Sequence, residues 1–387
     1  MKVLFVNPHR SDFVYNSPIY YFLKRKSLKK YHYLDKFFKK HDTELFFVTS
    51  SLIGFFASLK IQNVDKIFVR IEKYFFNKIN FDNNISSVLS LNNVKSYDVT
   101  FCFGFSVRDI SKKQFDKIAS VSNLLIIHLS HYHIYANKLN DWGKYKNVVF
   151  CADADIRQNY FYNYFGNNNS PFFVLSYAID SNRFKLLNSL SNRESKIICT
   201  GTFHEFEKIN KISNLKLNPI SNIFGFLTIH PERRFLYYFK NKLDNIIIFN
   251  NPMGKINLFK ILKKSNSINQ SKYFSFDIVE EYNKYKFAFI GEESIVGLPG
   301  IGVFEAILCG CIPIINDFCY KGTPLENSII PIKYNNMNHL FNIIRGCETQ
   351  FNNIQYTDEA LYDFREEVSK YYSELNQIEQ LNKYLNI

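Results

Sequence analysis

Apolar runs of strand length alternate along the chain with longer segments of mixed character. The runs "KVLFVN" (2–7), "TELFFVTS" (43–50), "DVTFCFG" (98–104), "NLLIIHLS" (123–130) and "NVVFCAD" (147–153) are nearly continuous in apolar residues. That is the pattern of strands buried on both faces, and the segments between them, such as 108–120, are long enough for helices. The alternation predicts a parallel sheet covered on both sides. It pauses at "YFGNNNSPFFVLSYAIDSNRF" (164–184), which is polar, contains Gly and Pro, and then becomes extended. A second series follows at "KIICTG" (196–201), "NIFGFL" (222–227), "NIIIFN" (245–250), "KFAFIG" (286–291) and "CIPIIN" (311–316). The simplest reading is an α/β protein with a doubly wound domain over 1–178 and another over 179–357. The segment 358–387 reads as a helix that packs back on the first domain. No repeat of solenoid period is present.

Length agrees with two domains, since 387 residues exceed what one core usually serves. With 46% hydrophobic and 17% aromatic residues, the composition is that of a folded protein and excludes disordered and fibrous classes. The net charge of +13 favours anionic partners such as phosphorylated small molecules, an anionic membrane surface or nucleic acid. The basic residues are spread along the chain and match no nucleic-acid-binding motif, which makes nucleic acid the weaker choice. One basic concentration, "FLKRKSLKKYHYLDKFFKKHD" (22–42), alternates Lys24, Lys26, Lys29 and Lys30 with Tyr31, Leu34, Phe37 and Phe38. It reads either as an ordinary surface helix or as a basic amphipathic helix lying on a bilayer. Seven cysteines, without a CxxC pair and mostly in apolar runs, point to a reducing cytoplasm and to neither disulfides nor zinc. No run is long enough to span a membrane, and the N-terminus is expected to enter a strand directly.

Doubly wound sheets bind ligands beyond the carboxyl ends of their strands. After the first strand of the second series, "CTGTFHEFEK" (199–208) offers Gly201 and Thr202 for close backbone approach, with His204 and Lys208 adding positive charge. No GxGxxG or Walker pattern occurs there. "TIHPERRFLYYFKNKL" (228–243) places His230, Arg233 and Arg234 at a helix start, where arginines can clamp a diphosphate. In "YKFAFIGEESIVGLPGIGVFEAILCGCIPIIND" (285–317), a strand ends at Gly291 and Glu292 and Glu293 open a Gly-rich loop. A helix then starts near Gly302 or Val303, and Gly310 closes it. An acidic residue, Glu305, sits in the first turn of this otherwise apolar helix. Its burial is costly unless something hydrogen-bonds to it, so either it simply caps the helix or it awaits a ligand rich in hydroxyl groups such as a vicinal diol.

"GLPGIGVFEAILCGCIPIIND" resembles the donor-binding segment of GT-B glycosyltransferases, especially the group 1 family, through Glu305-Ala306, Gly310 and Cys311-Ile312-Pro313-Ile314. "VLSYAIDSNRF" (174–184) is similar to that family's interdomain linker, with Asp180 and Phe184 in the matching places. "YKFAFIGEES" looks like the segment before the nucleotide site of bacterial fucosyltransferases. Two departures stand out. The retaining members carry an acid eight residues before Glu305, where this chain has Gly297. The fucosyltransferases have Glu-Lys where this chain has Glu305-Ala306.

The resemblance implies a GT-B fold, with two Rossmann-like doubly wound domains facing across a cleft. It implies transfer of a sugar from a nucleotide-sugar donor to a glycan or lipid-linked acceptor, of the kind used for bacterial surface polysaccharide and lipopolysaccharide. Retention of configuration is the preferred expectation. An inverting, fucosyltransferase-like enzyme is the alternative, and a sugar-nucleotide epimerase or hydrolase of the same fold is another. On this reading Glu305 binds the ribose, and Glu292 or Glu293 reaches the sugar hydroxyls. Gly201, Thr202, Lys208, Arg233, Arg234 and the backbone of Gly300, Ile301 and Gly302 hold the diphosphate. No metal or other cofactor is expected. An inverting enzyme needs a base from the first domain, where the candidates are His9, Asp12 and His131, with His128 and His133 behind them. The expected location is cytoplasmic, at most peripheral to the inner membrane.

Overall fold

The computed structural model describes residues 1–10, 12–18, 29–48, 64–80, 86–91, 96–166, 170–201, 230–250, 276–346 and 356–387. The chain divides into two compact units. One comprises Met1–Asp153, Tyr162–Ala178 and Ile378–Ile387; the other comprises Ala154–Phe161 and Ile179–Gln377.

In the first unit β1 (Lys2–Val6), β2 (Asp42–Phe46), β3 (Ser87–Val88), β4 (Tyr97–Phe103), β5 (Ser122–His128), β6 (Val148–Ala152) and β7 (Phe172–Val174) form one sheet. All pairs are parallel and the order is β3-β2-β1-β4-β5-β6-β7. The chain winds outward from β1 in one direction and then restarts beside it at β4. The crevice between β1 and β4 is therefore the switch point where such a sheet receives ligands. Asn7 marks it: held at a left-handed φ of 50°, it donates from Nδ2 to Ser106 O at 3.1 Å and accepts from Val48 N at 2.8 Å. One side chain thus ties together the loops after β1, β2 and β4.

Three helices of this unit matter here: α1 (Tyr33–Lys39), α2 (Val64–Asn80) and α3 (Lys112–Ser120). α3 begins later than the pattern suggested, because Ser111 and Gln114 form a reciprocal capping box. α1 lies within the basic segment 22–42, of which residues 22–28 lie outside the described residues, and the described part is a helix packed on its own sheet. Tyr33, Leu34, Phe37 and Phe38 are all buried, with the Phe38 ring 4.7 Å from Phe5 and 6.1 Å from Phe101. Its apolar face belongs to the core of its own sheet.

In the second unit β8 (Glu194–Thr200), β9 (Ile247–Asn250), β10 (Tyr285–Phe289), β11 (Ile312–Asn316) and β12 (Ile332–Tyr334) are parallel in the order β12-β11-β10-β8-β9. Here the switch point lies between β8 and β10. The helices are α4 (Pro231–Tyr238), α5 (Ile278–Lys284), α6 (Ile301–Leu308), α7 (Met337–Arg345) and α8 (Asp358–Tyr371). α9 (Glu374–Leu385) closes the chain. The single helix expected over 358–385 is two, because the Ser373 hydroxyl accepts from Asn376 N and starts a new helix. The expected strand at 222–227 lies outside the described residues. No helix among the described residues is long and apolar enough to cross a membrane. The six described cysteines are free and buried.

Candidate functional site

At the switch point of the second unit a cation fills the crevice. Arg233, in the first turn of α4, is buried and donates from Nη1 to Thr200 O at 3.3 Å and to Ile290 O at 3.1 Å. These carbonyls end β8 and follow β10, so one guanidinium bridges the two strand ends. Two glycines make the room. A Cβ on Gly201 would lie 1.8 Å from Arg233 Nη1, and one on Gly291 would lie 2.9 Å from Arg233 Cβ. Both have positive φ, 148° and 77°, which glycine tolerates without strain. Gly201 accommodates an arginine, and its amide donates to Asn250 O. Arg233, expected to hold the diphosphate, is buried and ties the two strand ends together. Arg234, the next residue, is half-buried.

α6 starts beside this tie. Gly300 is its N-cap, no side chain caps it, and the macrodipole leaves partial positive charge there. The first turn packs tightly on the end of β10: a Cβ on Gly302 would lie 2.9 Å from Ile290 Cγ2, and one on Gly300 would lie 3.2 Å from Gly291 O. Ile301 is half-buried. Glu305, one turn in, is also half-buried, unlike its apolar neighbours Val303, Phe304 and Ala306. Burial, and then the charge of Glu305, raise the pKa of the wholly buried Tyr282 of α5, whose hydroxyl lies 3.0 Å from Thr200 Oγ1. The structure therefore brings Glu305, the α6 N-terminus and the ends of β8 and β10 into one neighbourhood.

Glu292 behaves differently from expectation. It is fully buried, accepting from Tyr320 Oη at 2.9 Å, Tyr334 Oη at 3.0 Å and Asn316 N at 3.2 Å. Burial, and then the nearby charge of Glu232, push its carboxyl up to about 7 despite these donors. Its described partners are therefore groups of the protein itself, and the side chain is wholly buried. Glu232, on α4, is buried too; it accepts from Ser294 Oγ at 2.9 Å, and desolvation raises its pKa. His230 Nδ1 lies 2.9 Å from Glu292 O, a carbonyl that can only accept, which pins the start of α4 to the same loop. Glu293 is 7% exposed, and the loop after it is a closed turn. Glu293 N donates to Leu298 O and Leu298 N returns to Glu293 O, with Gly297 at φ 70° against Asn159.

In the first unit, His9 follows β1 on a short 3-10 turn (Pro8–Arg10) and is buried, its Nε2 3.1 Å from Glu72 Oε2 of α2. Both side chains are almost wholly buried, so Glu72 fixes the orientation of the ring. Asp12 is half-buried, and its carbonyl accepts from Lys29 N. His131 sits at a left-handed φ of 52°, half-buried, its ring 6.2 Å from Phe13. Thus the loops after β1 and β5 meet through Phe13 and His131. His128 is no candidate base: wholly buried, with Nε2 2.8 Å from Leu175 O, it has its pKa lowered to about 4 by burial. Beside it Tyr31 donates to both oxygens of the buried Asp153, at 2.8 and 3.0 Å.

Thr202, His204 and Lys208 lie outside the described residues. Several buried polar residues gave no signal in the sequence. Arg193 donates to Cys309 O at 2.6 Å, Asn283 Oδ1 at 2.9 Å and Asn188 O at 2.8 Å. Neither it nor the tyrosine cage around Glu292 stands in a recognisable spacing; only folding converges them. Among the described residues no cluster of three or more His, Cys, Asp or Glu could hold a metal ion.

No protein-family model matches the sequence, and no curated protein sequence matches it significantly. Among solved structures, the chain is similar to sucrose-phosphate synthase from Thermosynechococcus elongatus, at 9% identity over 100% of this chain and 98% of that one, with a TM-score of 0.48. It is also similar to an alpha-glucosyltransferase in complex with UDP-glucose and DNA containing an abasic site, at 13% identity over 100% and 99% of the two chains, TM-score 0.43. A third likeness is to the DNA-modifying enzyme beta-glucosyltransferase, at 11% identity over 100% of both chains, TM-score 0.42. With TM-scores under 0.5 these likenesses carry no argument by themselves; what places the chain among two-unit α/β proteins is its own pair of parallel sheets.

Proposed function

We propose that the chain is a GT-B-type glycosyltransferase that moves a sugar from a nucleotide-sugar donor, bound by the second unit, to a glycan or lipid-linked acceptor. The observation that carries this reading is the half-buried Glu305, one turn inside an N-terminus without a side-chain cap, beside the switch point between β8 and β10. A carboxylate there can accept two hydrogen bonds from a ribose diol, while the helix N-terminus suits the anionic diphosphate. Arg234 and the amides of Gly300, Ile301 and Gly302 then balance the charge that develops on the leaving nucleotide, so the reading calls for no metal. The sequence resemblance supports a role in bacterial surface polysaccharide or lipopolysaccharide synthesis, with retention of configuration, on the cytoplasmic side of the inner membrane.

One observation favours the inverting alternative. His9 is the buried partner of Glu72 and follows β1 at the first unit's own switch point, a place suited to a base for an acceptor hydroxyl. Two measurements test these readings. Calorimetric titration with UDP, GDP, CMP, ADP and dTDP sugars should show binding of one nucleotide class, and no binding to any would overturn the donor site. Proton NMR of the first-formed product then reports its anomeric configuration, and inversion would replace the retaining reading.

A further inference from the structure

The outward pole of α2 carries the wrong residues for a helix facing water. At 100° per residue, Val69, Glu72 and Phe76 fall on one side, and all three are buried. Their orientation is locked: Glu72 meets His9, and the Phe76 ring lies 5.5 Å from both Tyr15 and Phe47. The opposite pole therefore points away from the sheet. A surface helix ordinarily puts charged residues there. Here that pole holds Ile67, Ile71 and Tyr74, exposed by 57%, 43% and 62%, in line with Lys78 and flanked by Arg70. These five are the exposed positions among the described side chains of the helix, and none is acidic.

The charge of the chain is also unevenly shared. The first unit holds 24 Lys and Arg against 13 Asp and Glu, a net +11; the second holds 24 against 22, a net +2. Nearly the whole of the +13 thus belongs to the unit that exposes this stripe.

We infer that the outer face of α2, formed by Ile67, Arg70, Ile71, Tyr74 and Lys78, docks on an anionic lipid surface. Aliphatic and tyrosine side chains enter the headgroup boundary while Arg and Lys reach back to the phosphates, the combination that interfacial helices use. Three apolar side chains expose only a few hundred Å², short of the ~800 Å² per partner that a stable dimer buries, which disfavours a second copy. Nucleic acid would use the positive charge and leave the isoleucines without a role. The inference stands apart from the donor site, because lipid binding requires no nucleotide sugar.

Flotation of the full chain with vesicles tests it. Vesicles of phosphatidylcholine alone should leave the protein behind, and vesicles of equal parts phosphatidylcholine and phosphatidylglycerol should carry it up. The variant Ile67→Ser/Ile71→Ser/Tyr74→Ser and the variant Arg70→Glu/Lys78→Glu should each bind the anionic vesicles about tenfold more weakly or less. All five positions are exposed, so both variants should keep the wild-type circular dichroism and melting temperature. Failure of the wild type to float with the anionic vesicles overturns the proposal. So does flotation of the triple serine variant at the wild-type level, which would leave charge as the whole attraction. Loss of a sedimentation-detected dimer in that variant, with vesicle binding intact, would assign the stripe to a second copy and equally overturn it.

Discussion

Tyr320 donates its hydroxyl to Glu292 at 2.9 Å in the interior of the second unit, and the carboxyl it serves is nevertheless held up to about 7. Burial there outweighs three hydrogen bonds, and the folded protein binds the Glu292 proton more tightly than the unfolded chain does. The stabilising contribution of a protonated Glu292 is therefore full below about pH 4.5 and is lost as pH rises through about 7. Glu292→Gln keeps an acceptor for the tyrosines and cannot ionise. The stability of the wild type relative to this variant should fall by about 3 kcal/mol between pH 4.5 and 7.5. Urea denaturation of both proteins at several pH values measures it, and a constant difference would refute the burial account.

Glu305→Gln tests the donor site with little structural cost, because the side chain is half-buried. Loss of two charge-assisted hydrogen bonds to a diol amounts to about 3 kcal/mol, roughly a hundredfold in affinity. Titration with the nucleotide sugar that binds the wild type should show that loss at an unchanged melting temperature. Undiminished affinity would remove Glu305 from the site.

Gly201 and Arg233 should be energetically coupled. Gly201→Ala sets a methyl against Nη1 at a backbone angle that alanine avoids, and should cost about 2–4 kcal/mol. Arg233→Ala strips the Thr200 and Ile290 carbonyls of a donor, with a cost of about the same size. In the double variant the collision is gone, so the total should fall short of the sum by about 1 kcal/mol or more. Additive losses in a denaturation cycle would mean that the glycine serves its own φ alone.

Tyr31→Phe leaves Asp153 buried without its phenolic donor. The change should cost about 1–3 kcal/mol, seen as a lower urea midpoint at unchanged m-value. A wild-type midpoint would show that other donors satisfy Asp153.

The strands were legible because each is a continuous apolar run, and the parallel sheets make both of their faces dry. β1, β4, β6, β8 and β11 fall within the expected runs or within two residues of them. Pattern reading could also place Glu305, since a lone acid in an apolar helix is conspicuous. It failed where identity says nothing about depth. Arg233 and Arg234 are adjacent and chemically alike, yet a 100° step around α4 buries the first between two strand ends and leaves the second half-exposed. Glu292 and Glu293 likewise looked interchangeable until Tyr320 and Tyr334, from distant segments, closed on one of them. α1 fits the plainer of the two readings of its segment, a helix with a lysine face toward solvent and its aromatic face in the core.

The tail beyond Gln377 has an implication for how the protein is made. Residues Ile378–Ile387 belong to the first unit, where Tyr384 stacks on Phe173 with ring centres 3.9 Å apart and planes 13° from parallel. On the ribosome the N-terminal unit is synthesised first, but its last piece emerges only after the entire second unit has followed. Until then Phe173 waits without its stacking partner, so the native form of the first unit is sealed only after the second unit has been made.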